Sequence, residues 1–144
     1  MVSGGFDPVH IGHVRLFKEA KKLGDKLIVV LNNDNWLRLK KGYVFMPEQE
    51  RKEILEALAP VDEVTITGHL GNTTDISVCK ELRKIKPHIF ANGGDRKPDG
   101  DPVPEVAVCA ELGIKMVYNV GYGGKVRSSS ELIKQVQKKK NKKK

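Results

Sequence analysis

The chain has 144 residues, of which 31% are charged and 39% hydrophobic, and its formal net charge at pH 7 is +8. This length supports one domain with a hydrophobic core and is short for two. No run approaches the 18 or so apolar residues of a membrane span, and no signal-peptide pattern opens the sequence. We therefore expect a cytoplasmic protein without a membrane span.

Apolar runs alternate along the chain with segments of helical periodicity. The runs typical of strands lie at residues 1–3, 26–31, 61–66, 88–91 and 115–120. Helical patterns lie between most of them, and Ser128 with Glu131 forms a capping box that opens a last helix. The sequence therefore predicts an α/β fold of Rossmann-like type, a doubly wound parallel sheet of five strands with helices on both faces.

The positive charge is concentrated at the C-terminal end. Six of the last seven residues are lysine, and without them the formal charge is +2. A block of like charges without apolar partners is typical of a solvated segment. We predict a domain over residues 1–137 and a disordered lysine-rich tail over 138–144, and we do not expect nucleic acid as a partner.

The turn after the first predicted strand has the composition of a phosphate site. Gly4 and Gly5 allow a close approach of backbone to ligand, and the following helix start presents N–H groups to an anion. His10 and His13, three residues apart, lie on one side of its first turn. Packing or surface placement is the alternative for such a histidine pair.

The other candidate chemical groups are scattered. The four histidines, at positions 10, 13, 69 and 88, do not have zinc-ligand spacing, and no nucleophile–base triad is recognisable. Cys79 and Cys109 have no C-x-x-C spacing, so we expect small buried thiols. The sequence predicts no metal site built by protein ligands.

The string from Gly4 to His13 resembles the G-x-F-D-x-x-H-x-G-H signature of the nucleotidyltransferase superfamily. The resemblance implies an enzyme that moves a nucleotidyl group from a nucleoside triphosphate, with Mg²⁺, to a phosphorylated small molecule and releases pyrophosphate. It implies that His10 and His13 stabilise charge at the α-phosphate and on the leaving group.

Other segments carry the same resemblance. Lys41, with Lys40 as the alternative, and Arg127 are implied as phosphate-binding catalytic residues. Arg51, in a P-x-x-E-R run, is implied to be structural or to touch the acceptor. The nucleotide-binding residues implied are Gly5, Phe6, Asp7, Gly12, Asn92, Gly94, Asp95, Ser128 and Ser129.

The branch of the superfamily is less well defined. Gly93-Gly94-Asp95-Arg96 is similar to the adenylyltransferase domain of heptose-phosphate enzymes, which implies ATP, a heptose phosphate and lipopolysaccharide core biosynthesis. Glycerol-3-phosphate cytidylyltransferases and FAD synthetases are the alternatives within the class, and a non-catalytic nucleotide- or RNA-binding module is the alternative outside it. The resemblance also implies a homodimer, with Trp36, Leu37 and Leu39 in a loop that forms part of the contact, and a monomer with Trp36 packed on its own core is the alternative.

Overall fold

The structure is a computed structural model, which describes residues 1–93, 104–121 and 129–142. Its strands are β1 Val2–Gly4, β2 Ile28–Leu31, β3 Glu63–Ile66, β4 Ile89–Ala91 and β5 Lys115–Val117. Its helices are α1 Ile11–Lys21, α2 Asp34–Lys41, α3 Glu48–Glu56, α4 Cys79–Ile85, α5 Pro104–Leu112 and α6 Ser129–Lys142. The predicted α/β class is confirmed.

The strands are parallel and fall into two groups joined by Met1. β2 lies between β1 and β3, and β4 pairs with β5. The N-terminal amine of Met1 donates to the Ile89 carbonyl at 2.9 Å, and the Ala91 N–H donates to the Met1 carbonyl at 2.9 Å. The spatial order is therefore β3-β2-β1-β4-β5, and in such a sheet ligands bind at the carboxyl ends of the strands.

Helices cover both faces of this sheet, as predicted. Along β2, Val29 and Leu31 point into one core while Val30 points into the other, which is the two-residue alternation of a strand. α1 and α3 cover the first core through Phe17, Ala20 and Leu55, and α4 and α5 cover the second through Leu82, Val108 and Cys109. Each fully buried large apolar side chain contributes about 2 kcal/mol to folding.

Helix α2 corrects the prediction of a loop around Trp36, Leu37 and Leu39. Its N-cap is Asn33, whose side chain accepts from the Trp36 N–H at 2.9 Å, and it ends at Gly42, whose φ of +83° suits glycine. Its apolar pattern is short because only Leu37 is fully buried. Leu37 therefore belongs to the core and not to a surface contact, and the homodimer stays a prediction.

The C-terminal end also differs from the prediction, because α6 continues through Lys142. Lysine is a good helix former, and lysines in a last turn complement the helix dipole. Residues 138–142 are thus helical, with Lys143 and Lys144 outside the described residues.

The remaining global expectations concern cysteines and membrane spans. Cys109 is buried and Cys79 partly buried, and burial raises the pKa of both thiols.

Within the described residues, none of the helices has the length and apolar character to cross a membrane.

Candidate active site

The turn between β1 and α1 is built around Phe6. This residue has a φ of +49°, a left-handed conformation that costs a non-glycine residue about 1–2 kcal/mol, and its side chain is buried. Its ring lies over Gly4, where an added Cβ would come within 2.9 Å of the Phe6 Cζ. The ring meets His13 edge-on with centroids 4.9 Å apart and Phe17 at 5.2 Å. Phe6 therefore supports the His13 ring, and only its backbone faces the turn.

The two histidines cap α1 reciprocally. The His10 Nδ1 accepts a hydrogen bond from the Gly12 N–H at 3.1 Å, and the His13 Nδ1 accepts one from the His10 N–H at 3.2 Å. The rings stack with centroids 3.7 Å apart and planes inclined by 25°. This is a capping box made of histidines, a role that their three-residue spacing signalled and that sequence reasoning missed.

The capping box decides which nitrogen of each ring carries hydrogen. A nitrogen that accepts a hydrogen bond is unprotonated, so each neutral ring carries its hydrogen on Nε2. Burial, with the nearby charges of His10 and Lys41, lowers the pKa of His13 from its usual 6.5 to about 3. At neutral pH the His13 ring is therefore a neutral donor and not a cation.

The pKa of His13 predicts a pH-dependent stability. Unfolded His13 binds a proton below pH 6.5, whereas the folded protein binds it only near pH 3. The stability that the neutral ring contributes is therefore complete above pH 6.5 and is lost as the pH falls towards 3. We expect the difference in unfolding free energy between the wild type and His13→Gln to shrink by about 1–2 kcal/mol from pH 7 to pH 5, as measured by urea denaturation. A difference that is equal at both pH values would contradict the burial of a neutral ring.

Gly12 makes room for the His10 ring. A Cβ at this position would lie 2.9 Å from the His10 Cε1 and 3.1 Å from its Nδ1. We expect Gly12→Ala to displace the ring and lower kcat by about 10²-fold, because displacements of about 1 Å have such effects. Gly24→Ala is the matched control, since a Cβ at Gly24 meets nothing within 4 Å. Equal kcat values for the two variants in a pyrophosphate-release assay would contradict this role.

The structure brings Lys41, and not Lys40, to the histidines. Lys41 is the last residue of α2 and is half-buried, whereas Lys40 is exposed. Burial lowers the pKa of the Lys41 ammonium, the Asp7 carboxylate raises it, and Arg51 lowers it further. Lys41 also acts electrostatically on His13. A cation is thus held beside the paired rings.

Asp7 ties the following loop to this turn. Its fully buried carboxylate accepts from the Phe45 N–H and the Met46 N–H, both at 2.7 Å. Both oxygens are used within the protein, so the carboxylate positions the 42–47 loop, and the predicted nucleotide contact of Asp7 rests on its backbone.

Arg51 joins four segments around the site. The guanidinium is fully buried and donates to four acceptors at 2.7–2.8 Å: the Met46, Gly5 and Asn32 carbonyls and the Asp34 carboxylate. It thereby links the ends of β1 and β2 to the start of α2 and to the 42–47 loop. The resemblance implied that Arg51 is structural or touches the acceptor, and the contacts seen in the structure are structural ones.

Other predicted residues contribute through packing and backbone contacts. A Cβ at Gly5 would lie 3.0 Å from the Leu37 Cδ2, so a larger residue at this position would collide with α2.

Two predicted residues make hydrogen bonds to the backbone of distant segments. The Ser129 hydroxyl donates to the Pro8 carbonyl at 2.8 Å, so its hydrogen is engaged inside the protein. Buried Asn92 donates through its N–H to the Val117 carbonyl at 2.7 Å, which holds the ends of β4 and β5 together. The predicted residues Gly94, Asp95, Arg127 and Ser128 lie outside the described residues.

A polar cluster after β3 was missed by sequence reasoning. The His69 Nε2 lies 2.8 Å from the Ser77 carbonyl and must donate to it, so its Nδ1 accepts from the Thr67 hydroxyl at 2.7 Å. The Thr67 oxygen accepts from the Asn33 N–H at 3.0 Å. This chain fixes the 67–78 loop against the start of α2.

The described residues show no cluster of side chains of the kind that holds a metal ion through protein ligands alone. They contain no group of three or more histidine, cysteine, aspartate or glutamate side chains placed to hold a metal. Mg²⁺ usually keeps several waters and is held by substrate phosphates with one or two carboxylates. The Mg²⁺ that the resemblance implies therefore stays a prediction.

A parallel sheet of this order, with hydrogen-bond donors at the start of its first helix, is typical of nucleotide-binding α/β proteins. The chain belongs to the cytidylyltransferase-like family, which it matches over residues 1–118. The predicted membership of the nucleotidyltransferase superfamily, a class of enzymes, is confirmed.

Three relatives illustrate the similarity. The chain is 42% identical over 99 residues to the FAD synthase of Ferroglobus placidus, a match covering 69% of this chain but only 60% of that protein. It is 32% identical over 136 residues to the FAD synthase of Thermoplasma volcanium, covering 94% and 92% of the two chains. It is 37% identical over 101 residues to the bifunctional protein HldE of Desulfatibacillum aliphaticivorans, covering 69% of this chain and 19% of that one.

A solved structure has the same fold. The lipopolysaccharide core biosynthesis protein from Thermoplasma volcanium GSS1 superposes with a TM-score of 0.65 and 31% identity, over 85% of this chain and 95% of that one. The names of these relatives point to more than one acceptor. They agree on nucleotidyl transfer as the class of reaction but not on the substrate.

Proposed function

We propose that this chain transfers an adenylyl group from ATP, supplied with Mg²⁺, to the phosphate of a small phosphorylated molecule. An oxygen of the acceptor phosphate forms a bond to the α-phosphorus, and the bond from that phosphorus to the bridging oxygen breaks. Pyrophosphate leaves with the electron pair of that bond. The observation that carries the proposal is the pair of Nε2–H donors that the histidine capping box fixes at the start of α1.

The described side chains suit such a transfer because no protein nucleophile is required. The acceptor already carries an ionised oxygen, so stabilisation of charge in the transition state is the main requirement. His10 and His13 donate hydrogen bonds to the phosphate oxygens, and Lys41 adds positive charge from the end of α2. Asp7 and Arg51 are fully buried and hold the 42–47 loop, which follows Lys41, in place.

FMN is the acceptor that the relatives favour. Seven relatives named FAD synthase, which are 32–42% identical to this chain, support it, since FMN adenylylation yields FAD. This acceptor was the alternative in our sequence analysis, in which a heptose phosphate ranked first.

A heptose phosphate is the second candidate. It is supported by the similarity of Gly93-Gly94-Asp95-Arg96 to heptose-phosphate enzymes and by the 37% identity to HldE. Both acceptors are phosphate monoesters, of an open polyhydroxylated chain in FMN and of a sugar ring in a heptose 1-phosphate, so one set of phosphate-binding groups suits either.

The test is pyrophosphate release from ATP or CTP in the presence of FMN, heptose 1-phosphate, glycerol 3-phosphate or nicotinate mononucleotide, with products identified by mass spectrometry. We expect release with ATP and FMN, with FAD as the product. Release only with CTP and glycerol 3-phosphate would show that the donor is CTP instead of ATP and that the acceptor is glycerol 3-phosphate instead of FMN. Absence of release with every pair, in a protein that still binds ATP, would leave a non-catalytic nucleotide-binding module in place of the enzyme.

A further inference from the structure

We propose that Tyr43 and Phe45 form an aromatic ledge that stacks against the planar ring system of the acceptor, which makes Phe45 the main determinant of acceptor affinity. This inference rests on the proposed function and concerns the part of the acceptor that is remote from the reacting phosphate. The ligand class is a phosphorylated molecule with a flat heteroaromatic ring, of which the isoalloxazine of FMN is the case to test.

The first observation is the rigid support beneath an exposed ring. The Phe45 N–H and the adjacent Met46 N–H both donate to the Asp7 carboxylate at 2.7 Å, and the Met46 carbonyl accepts from the Arg51 Nε at 2.8 Å. Asp7 and Arg51 are fully buried, yet Phe45 itself is 58% exposed. Its backbone is thus fixed by two buried charged groups while its side chain faces outwards.

The second observation is the pattern of exposure along this loop. Tyr43 and Phe45 are exposed, whereas Val44 and Met46, which alternate with them, are partly buried. The two aromatic rings therefore lie on the outer side of the same short segment. Single exposed apolar residues are ordinary on protein surfaces, but two exposed aromatic side chains within three residues offer a larger apolar surface to a ligand.

The third observation is the position of this ledge relative to the phosphate-binding groups. The loop begins directly after Lys41, and its carboxylate support, Asp7, precedes His10 by three residues in the turn that carries the histidine pair. An acceptor whose phosphate lies near Lys41 and the histidines would extend its remaining atoms along residues 43–45. Aromatic rings stack favourably on such a flat partner because their edges and faces carry opposite partial charges.

The experiment compares Phe45→Ala with the wild type in steady-state kinetics with ATP and FMN, and in FMN binding followed by quenching of flavin fluorescence. We expect the KM and Kd for FMN to rise about tenfold, as the loss of one aromatic stacking contact predicts. The KM for ATP and the kcat should change less than about twofold, since the ring is remote from the reacting phosphorus. Phe45→Tyr, which keeps a ring, should restore FMN affinity.

Val136→Ala is the matched control, because Val136 is 60% exposed on α6 and is not part of this loop. An unchanged KM for FMN in Phe45→Ala, with FAD formed normally by the wild type, would overturn the ledge alone. Wild-type turnover of heptose 1-phosphate but not FMN would overturn the ledge while leaving adenylyl transfer intact. A wild type that releases no pyrophosphate with any acceptor would overturn both proposals. A dimer that dissociates in Phe45→Ala without loss of FMN affinity would assign the ring to self-association and also overturn the ledge.

Discussion

Replacing the donor nitrogens of the histidine pair while keeping the helix cap is expected to abolish catalysis in an intact fold. In His10→Asn the shorter side chain still caps α1, since asparagine is a preferred N-cap residue, but the Nε2–H is lost. In His13→Gln the amide oxygen can accept from the His10 N–H, as glutamine does in ordinary capping boxes. We expect kcat to fall by about 10³-fold in each variant, the size of effect seen when a charge-stabilising donor is removed.

The comparison with His10→Ala separates capping from chemistry. His10→Ala removes the acceptor for the Gly12 N–H as well as the donor, so it should lose about 1 kcal/mol of stability that His10→Asn retains. Thermal unfolding and pyrophosphate release on all three variants provide the test. If His10→Asn turned over at the wild-type rate, the histidine pair would be a capping device only and the proposed mechanism would fail.

Loss of the Arg51 guanidinium is expected to have the largest effect on stability. Arg51→Met leaves three buried carbonyls and the Asp34 carboxylate without their donor. Removing one partner of a buried ion pair costs about 3–5 kcal/mol, because the other charge stays desolvated. We expect a decrease of that size in the unfolding free energy, measured by urea denaturation followed by circular dichroism.

Arg83→Met is the control for this prediction. The Arg83 guanidinium also makes two hydrogen bonds to a carboxylate, that of Glu111, both at 3.1 Å, but both side chains are at least half exposed. Exposed ion pairs contribute about 0–1 kcal/mol, so this variant should unfold close to the wild type. Comparable losses in the two variants would mean that Arg51 does not hold the strand ends together as the structure indicates.

The general architecture could be predicted because it is encoded locally. Each buried strand is a short run of apolar residues, and the helices between them repeat apolar residues every three or four positions. α2 was missed because it has only eight residues and buries only Leu37 fully, so its apolar stretch is too short to establish a helical period from the sequence. The helical end of α6 was missed because charge density alone does not distinguish a solvated helix from a disordered segment.

The site was predictable as a set of residue types and not as an arrangement. The motif identified His10 and His13, and the resemblance implied Lys41 with Lys40 as the alternative. The spacing of the histidines fits a capping box, but local sequence does not reveal that the two rings stack or that Lys41 rather than Lys40 is half-buried. The role of Arg51 depends on contacts with residues up to 46 positions away, which no short-range pattern contains. Gly5 illustrates the same limit, because the neighbour that requires a glycine there is the distant Leu37.

The contact between Ser129 and Pro8 has a consequence for how the protein matures. The two residues are separated by 121 positions, so the turn that carries the histidines receives this hydrogen bond only after almost the entire described chain has left the ribosome. Contacts of such long sequence separation are slow to form, since loop closure precedes their gain in energy. A nascent chain can therefore pair β1, β2 and β3 before Ser129 is available, and the hydrogen bond from Ser129 to the turn that carries the histidines is a late event in its synthesis.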